Sequence, residues 1–183
     1  MDVGAYREGH FLLTSGRHGD RFFLMPLAFQ RPPLAEAVGR AVAALFAAER
    51  VDAVVGPATG GIILAHEVAR ALGARSMFAE KDGDAMVLRR GFRLEAGERV
   101  LVVEDVVTTG GSVMKTIAAL EPFSPVVVGI GAVIDRSGGR AVFGVPFRTV
   151  ASVEARDWAP EECPLCREGV PLVRPKHDKQ DRT

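Results

Sequence analysis

The run Val100–Ser112, VLVVEDVVTTGGS, decides how the rest of the chain is read. Val100 to Val103 are apolar and mostly β-branched, the composition of a buried strand. They lead directly into two carboxylates, Glu104 and Asp105, and then into a turn of hydroxyls and glycines, Thr108 to Ser112. From Gly111 to Leu120 the apolar residues fall at helical spacing. A bare acidic pair at a strand end would read as a solvated edge, but this pair belongs to a longer pattern. Carboxylates only accept hydrogen bonds, which suits a vicinal diol such as ribose. Unpaired amides at a helix start, helped by hydroxyls, suit a phosphate. The glycines permit close approach and positive φ. Diol acceptors followed at once by a phosphate cradle describe a site for a ribose 5-phosphate. Neighbouring strand residues point to opposite faces, so the backbone is expected to turn at Glu104-Asp105 if both are to serve one ligand.

Working outward, strands alternate with helices. Pro32-Pro33 starts a helix with Leu34, Val38, Val42, Leu45 and Phe46 on its apolar side. Residues 52–55 read as a short strand, followed by the turn Gly56-Pro57-Ala58-Thr59-Gly60-Gly61. Residues 62–72 read as a helix capped by Gly73. Residues 76–79 read as a strand, and the polar EKDGDA at 80–85 as a flexible loop. Residues 125–134 and 147–153 complete the set of strands. This alternation predicts an α/β fold, an open and mostly parallel twisted sheet flanked by helices. Ligands bind such sheets beyond the carboxyl ends of the strands. The 56–61 turn, the opening motif and Asp135-Arg136 all fall there.

The chain has 183 residues, 48% hydrophobic and 25% charged, which fits one globular domain spanning 1–183. The formal net charge is zero, so nothing draws the whole molecule to nucleic acid or to a membrane surface. No apolar run reaches the roughly 18–20 residues of a membrane span, and the first residues do not resemble a signal peptide. The expected location is cytoplasmic. The two cysteines, Cys163 and Cys166 in CPLC, make half of a zinc site; His177 is a conceivable third ligand, and a proline-stiffened turn is the preferred reading. The chain contains no asparagine, a composition that leans towards a heat-adapted source. No GxxxxGK[ST] occurs, and no GxGxxG follows a strand, which removes support for nucleoside triphosphate and dinucleotide binding.

VLVVEDVVTTGGS resembles the phosphoribosyl pyrophosphate signature of type I phosphoribosyltransferases. That resemblance implies Glu104 and Asp105 at the ribose hydroxyls, and Val106, Val107, Thr108, Thr109, Gly110, Gly111 and Ser112 around the 5-phosphate. Gly9–Phe23, GHFLLTSGRHGDRFF, is similar to the N-terminal base-site segment of orotate phosphoribosyltransferases, with Phe22 and Phe23 aligned to an aromatic pair bordering the base. As alternating strand residues, one of that pair is expected in the core. VGPATGGIILAHEVARALG is similar to the family's pyrophosphate loop, which places Ala58, Thr59, Gly60 and Gly61 at the pyrophosphate. AVIDRSGG, residues 132–139, resembles a segment whose arginine, here Arg136, meets the orotate carboxylate; the fork-shaped guanidinium suits that anion. Thr108 is placed by the resemblance near the same base. EECPLCREGVPLV also resembles the C-terminal end of one bacterial and archaeal branch.

The resemblance implies transfer of ribose 5-phosphate from phosphoribosyl pyrophosphate to orotate. It also implies a small hood of N- and C-terminal segments, and a homodimer in which a mobile loop reaches a neighbouring site. Mg²⁺ is expected on the substrate's oxygens, with no ligand taken directly from the protein. Lys81 matches one loop lysine and would act with Glu104 and Asp105 in catalysis. The pattern departs from the better-known branch in three places. Thr14 stands for a lysine, Glu80 for an arginine, and a second loop lysine and a histidine have no counterpart. Arg89 and Arg90 are candidates to supply the missing charge, or are a solvated hairpin edge. Two other readings compete: a purine phosphoribosyltransferase, and a non-catalytic regulator that binds phosphoribosyl pyrophosphate.

Overall fold

The computed structural model describes residues 3–13 and 15–175; Thr14 and His177, both singled out above, lie outside them. In chain order the strands are β1 (Tyr6–Leu12), β2 (His18–Phe23), β3 (Ala53–Pro57), β4 (Arg75–Asp82), β5 (Ala85–Leu88), β6 (Arg99–Val107), β7 (Val126–Asp135), β8 (Phe147–Ser152) and β9 (Asp157–Trp158). The helices are α1 (Pro26–Phe29), α2 (Pro32–Ala44), α3 (Gly61–Leu72), α4 (Gly111–Leu120) and α5 (Pro164–Arg167). The chain divides into two compact units, one of residues 28–153 and one that joins residues up to Leu27 with those from Glu154 onward.

The larger unit is a six-stranded sheet in the order β5-β4-β3-β6-β7-β8, parallel except for β5. Its central strands are apolar on both sides because helices cover both faces. Ala53, Val55, Val100 and Val102 face one core with Val113 and Leu120 of α4. Val54, Leu101 and Val103 alternate to the other face and are fully buried as well. From β3 the chain pairs outward to β4 and then returns to the opposite side of β3 as β6. The direction of winding therefore reverses between β3 and β6, and the crevice beyond their carboxyl ends is where open α/β sheets take ligands.

α2 packs closely on α3 because Gly39 has no side chain. A Cβ at Gly39 would lie 2.9 Å from the Glu67 carbonyl carbon. Gly39→Ala is expected to destabilise the protein by about 1–3 kcal/mol despite alanine's better helix propensity. Urea unfolding measures this, and an unchanged midpoint would refute the packing argument.

The smaller unit is an antiparallel sheet in the order β1-β2-β9. Phe22 tilts against the buried Phe11 with ring centroids 5.7 Å apart, and Phe23 tilts against Tyr6 at 5.2 Å. The C-terminal part is tied to the hairpin by pairing of His18 with Trp158, by the Arg17–Asp157 ion pair, and by the Val173 amide donating to the His10 carbonyl at 2.8 Å.

Two local expectations change. Residues 80–85 form no flexible loop: β4 continues to Asp82, and Gly83-Asp84 turn the chain into β5, with Lys81 opposite Met86. A polar two-residue turn with a positive-φ glycine suits a tight hairpin; the polar end of β4, Glu80-Lys81-Asp82, hides its extension, and the four apolar residues of β5 make too short a run to mark a strand alone. The second change is in β6, which does not end before Glu104 but runs straight to Val107.

Candidate active site

β6 continues through both acids, and although alternation starts them from opposite faces, their carboxyl groups approach closely enough to hydrogen-bond one another. Glu104 shares the face of Val100 and Val102, towards α4, and Asp105 shares the face of Leu101 and Val103. No backbone turn unites them. They curl onto the strand instead: the Asp105 amide donates to Glu104 Oε1 at 3.2 Å, and the Val106 amide to Asp105 Oδ1 at 2.8 Å. Each acid thus addresses a different neighbouring loop.

Asp105 abuts the turn after β3. A Cβ on Gly60 would sit 2.6 Å from Asp105 Oδ2, so only glycine lets this turn rest against the carboxylate. The turn, Ala58-Thr59-Gly60, contains a cis peptide bond between Ala58 and Thr59 and opens directly into α3 at Gly61. Its position is held by the Ala58 amide, which donates to the Ala79 carbonyl at 2.7 Å.

Glu104 lies on the α4 side and, with the segment from Val106 to Val113, lines a small concavity of about 40 Å³. Gly110 takes φ 80° at the start of α4, where a Cβ would strike the Phe143 ring at 2.6 Å. Glycine is therefore required on both counts. Thr108, Thr109, Gly111 and Ser112 are exposed around this hollow, and the first amides of α4 have no intrahelical partner. Dipole and amides together make it an anion site.

Electrostatically the carboxylate pair is poised for a cationic or hydroxyl-rich guest. Burial pushes the Glu104 carboxyl up to about 9, helped by the neighbouring Asp105 charge. Burial also raises Asp105, against the opposing pull of its own hydrogen bonds. At neutral pH the ligand-free pair does not carry two full charges.

Lys81 is exposed near the end of β4, on the strand face of Ala79, two residues past the partner of Pro57. Its neighbours Glu80 and Asp82 are engaged by Arg90 at 2.9 Å and Arg89 at 2.8 Å. Those arginines neutralise the hairpin's own acids, so the suggested replacement of missing loop charge does not stand as free charge. Among the described residues no carboxylate forms an ion pair with Lys81. Arg136 follows β7, half-buried, with its amide donating to the Val107 carbonyl at 2.8 Å; the Asp135 carboxylate accepts from the Ser137 amide at 2.7 Å.

The fold thus brings the Ala58–Gly61 turn, Lys81, the Glu104–Ser112 run and Arg136 to one edge of the larger unit's sheet. Phe22 and Phe23 lie in the smaller unit. The Cys163 and Cys166 pair, half of a zinc site by sequence with a turn as the preferred reading, also lies there, beside two histidines that the sequence reading missed, His10 and His18. Two histidines eight residues apart, one each side of a hairpin turn, were the available signal.

Residues 28–165 match the model of the phosphoribosyl transferase domain. The chain is 55% identical to the orotate phosphoribosyltransferase of Thermus thermophilus over 171 residues, 93% of each chain. It is 51% identical to the orotate phosphoribosyltransferase of Caldanaerobacter subterraneus subsp. tengcongensis, over 92% of this chain and 88% of that one. Its structure is similar to the crystal structure of orotate phosphoribosyltransferase from Aeropyrum pernix, with a TM-score of 0.70 at 28% identity, covering 83% of this chain and 90% of the other.

Proposed function

Because the chain belongs to the phosphoribosyltransferase family, and within it to the orotate phosphoribosyltransferases, we propose that its acidic strand end and two helix starts hold phosphoribosyl pyrophosphate while orotate takes the ribose 5-phosphate group. The products are orotidine 5-phosphate and pyrophosphate, the step that commits orotate to pyrimidine nucleotides and UMP. The observation that carries this reading is the seating of Asp105 against the Gly60 turn, with Glu104 over the α4 start, at the reversal point of the sheet.

Each part has a task in the displacement at the anomeric carbon. The amides and hydroxyls from Val106 to Ser112 grip the 5-phosphate at the α4 start. Glu104 and Asp105 hold the ribose hydroxyls, and their negative charge favours the cationic character that the ring develops. The amides of Ala58 to Gly61 and the Lys81 ammonium neutralise charge gathering on the departing pyrophosphate. Mg²⁺ fits this donor set of hard carboxylate oxygens, and the raised pKa of Glu104 is what a nearby cation would relieve. Bound with the donor beside Glu104 and Asp105, the ion would supply further charge neutralisation. No covalent nucleophile is needed. Orotate brings a carboxylate, for which Arg136 is the partner, with Thr108 offering a hydroxyl. A homodimer in the cytoplasm belongs to the same reading.

The deciding assay incubates the protein with magnesium, phosphoribosyl pyrophosphate and orotate, adenine, hypoxanthine or xanthine in turn. Consumption of orotate alone, followed by its absorbance, is expected; turnover of a purine in its place would overturn the proposal. Arg136→Ala is expected to raise the KM for orotate by roughly tenfold or more, the size of a lost charge-assisted hydrogen bond, with the donor KM little changed. An unchanged orotate KM would remove Arg136 from the base site.

A further inference from the structure

The smaller unit holds a group of side chains that the transferase reaction does not use. His10 of β1, His18 of β2, and Cys163 and Cys166 flanking the start of α5 each offer one ligand atom, all four within 4.8 Å of one another. His10 Nε2 lies 2.9 Å from His18 Nδ1, 3.4 Å from Cys163 Sγ and 3.7 Å from Cys166 Sγ; His18 Nδ1 lies 3.3 Å from Cys166 Sγ. Tetrahedral zinc with two nitrogen and two sulfur ligands sets ligand atoms about 3.3–3.8 Å apart. The observed spacings bracket that range. We propose that His10, His18, Cys163 and Cys166 form a structural tetrahedral zinc site that joins the N-terminal hairpin to the C-terminal segment.

Hydrogen bonding among the four side chains is a poor alternative explanation of the cluster. His10 Nδ1 faces the Val170 carbonyl oxygen at 2.8 Å, an acceptor only, so in the neutral ring this nitrogen carries the hydrogen and Nε2 presents a lone pair. Three polar atoms then crowd one acceptor that has a single direction. A cation at the centre uses all of them. The Nδ1–H to carbonyl bond is also the outer contact that orients histidine ligands of metals. Local structure serves the arrangement: a register shift between Glu8 and Phe11 interrupts the β1–β2 pairing at the point where His10 sits.

Burial and charge agree with zinc. Buried residues of this unit are few: His10, Phe11, His18, Gly19, Met25, Cys163 and Pro175 among those described. Three of the seven are candidate ligands, so the middle of the unit is built from ligand atoms as much as from hydrocarbon. Units this small usually need a staple. Binding Zn²⁺ releases the two thiol protons, and two thiolates with two neutral imidazoles leave the site uncharged overall. That neutrality suits a buried location. Zinc prefers this mixed sulfur and nitrogen set, whereas Mg²⁺ does not.

The test uses the full-length protein purified with neither added metal nor chelator. Elemental analysis should find about one zinc per chain, retained through gel filtration. Exchange with Co²⁺ should give the visible bands of a tetrahedral ion and a thiolate charge-transfer band. Cys166→Ser, at the exposed ligand, and His18→Gln should each lower zinc content tenfold or more, with loss of the cobalt spectrum and a lower Tm. Folding of each variant is checked by circular dichroism. A reduced wild-type protein that takes up neither zinc nor cobalt would overturn the site. So would a Cys163–Cys166 disulfide in the freshly purified protein, or a zinc content unchanged in both variants.

Discussion

Lys81→Ala should lower kcat by roughly 10²-fold or more, the size seen when one electrostatic stabiliser of a transition state is lost. The basis is how the β4–β5 hairpin distributes its charge. Glu80 and Asp82 are held by Arg90 and Arg89, and the Arg90 hydrogen bond lowers the Glu80 carboxyl below its ordinary range. Lys81, between them in sequence, faces the opposite way and keeps its charge available for an anion. Substituting Arg90 by alanine should therefore change kcat by only a few-fold, since exposed pairs contribute little. Steady-state kinetics with saturating donor and orotate distinguish the two positions. Equal losses at Lys81 and Arg90 would mean that the hairpin's fold, and not the Lys81 ammonium, is what matters.

The carboxylate pair should give the second large effect. Asp105→Asn and Glu104→Gln are each expected to reduce kcat/KM for phosphoribosyl pyrophosphate by about 10²–10³-fold, through loss of ring positioning and of negative charge near a cationic transition state. Unaltered donor kinetics in both variants would dismiss the diol assignment. Stability should move the other way. Glu104 is raised from about 4.5 to about 9, so between those values the folded chain holds a proton that the unfolded chain has lost. The contribution is complete below about pH 4.5 and disappears as pH rises through about 9. Ligand-free wild-type protein should thus lose stability across that window, whereas Glu104→Gln should lack this component of the slope. At pH 8.5 the variant should be more stable by at least about 1 kcal/mol in urea unfolding. Parallel pH profiles would contradict a buried, proton-retaining Glu104.

Much of this was legible in the residues because period and punctuation agree. Val100–Val103, the glycine turn and the Gly111–Leu120 helix each carry an unambiguous signal, and α4 begins and ends where its spacing predicts. The placing of Ala58–Gly61, Glu104–Ser112 and Arg136 at one sheet edge follows from strand order alone. The misreadings are physical as well. A strand carrying buried carboxylates looks as though it must stop, yet local amide bonds to Glu104 and Asp105 let β6 continue to Val107. Glu80-Lys81-Asp82, the polar end of β4, carries no apolar alternation, so the stretch up to the Gly83 turn resembles a loop. The His10–His18–Cys163–Cys166 cluster was hidden for another reason: its members are local pairs at opposite ends of the chain, and only the folded unit brings them together.

The pairing of β2 with β9 bears on how the molecule is made. Arg17 meets Asp157, a separation of 140 positions. On the ribosome the first hairpin leaves the exit tunnel early, but the strand that covers its edge is synthesised only after the whole six-stranded sheet has been. For most of translation β2 thus presents an uncapped edge, the kind of surface that chaperones shield and neighbouring nascent chains invade. Yield during rapid expression should depend on how long that edge waits.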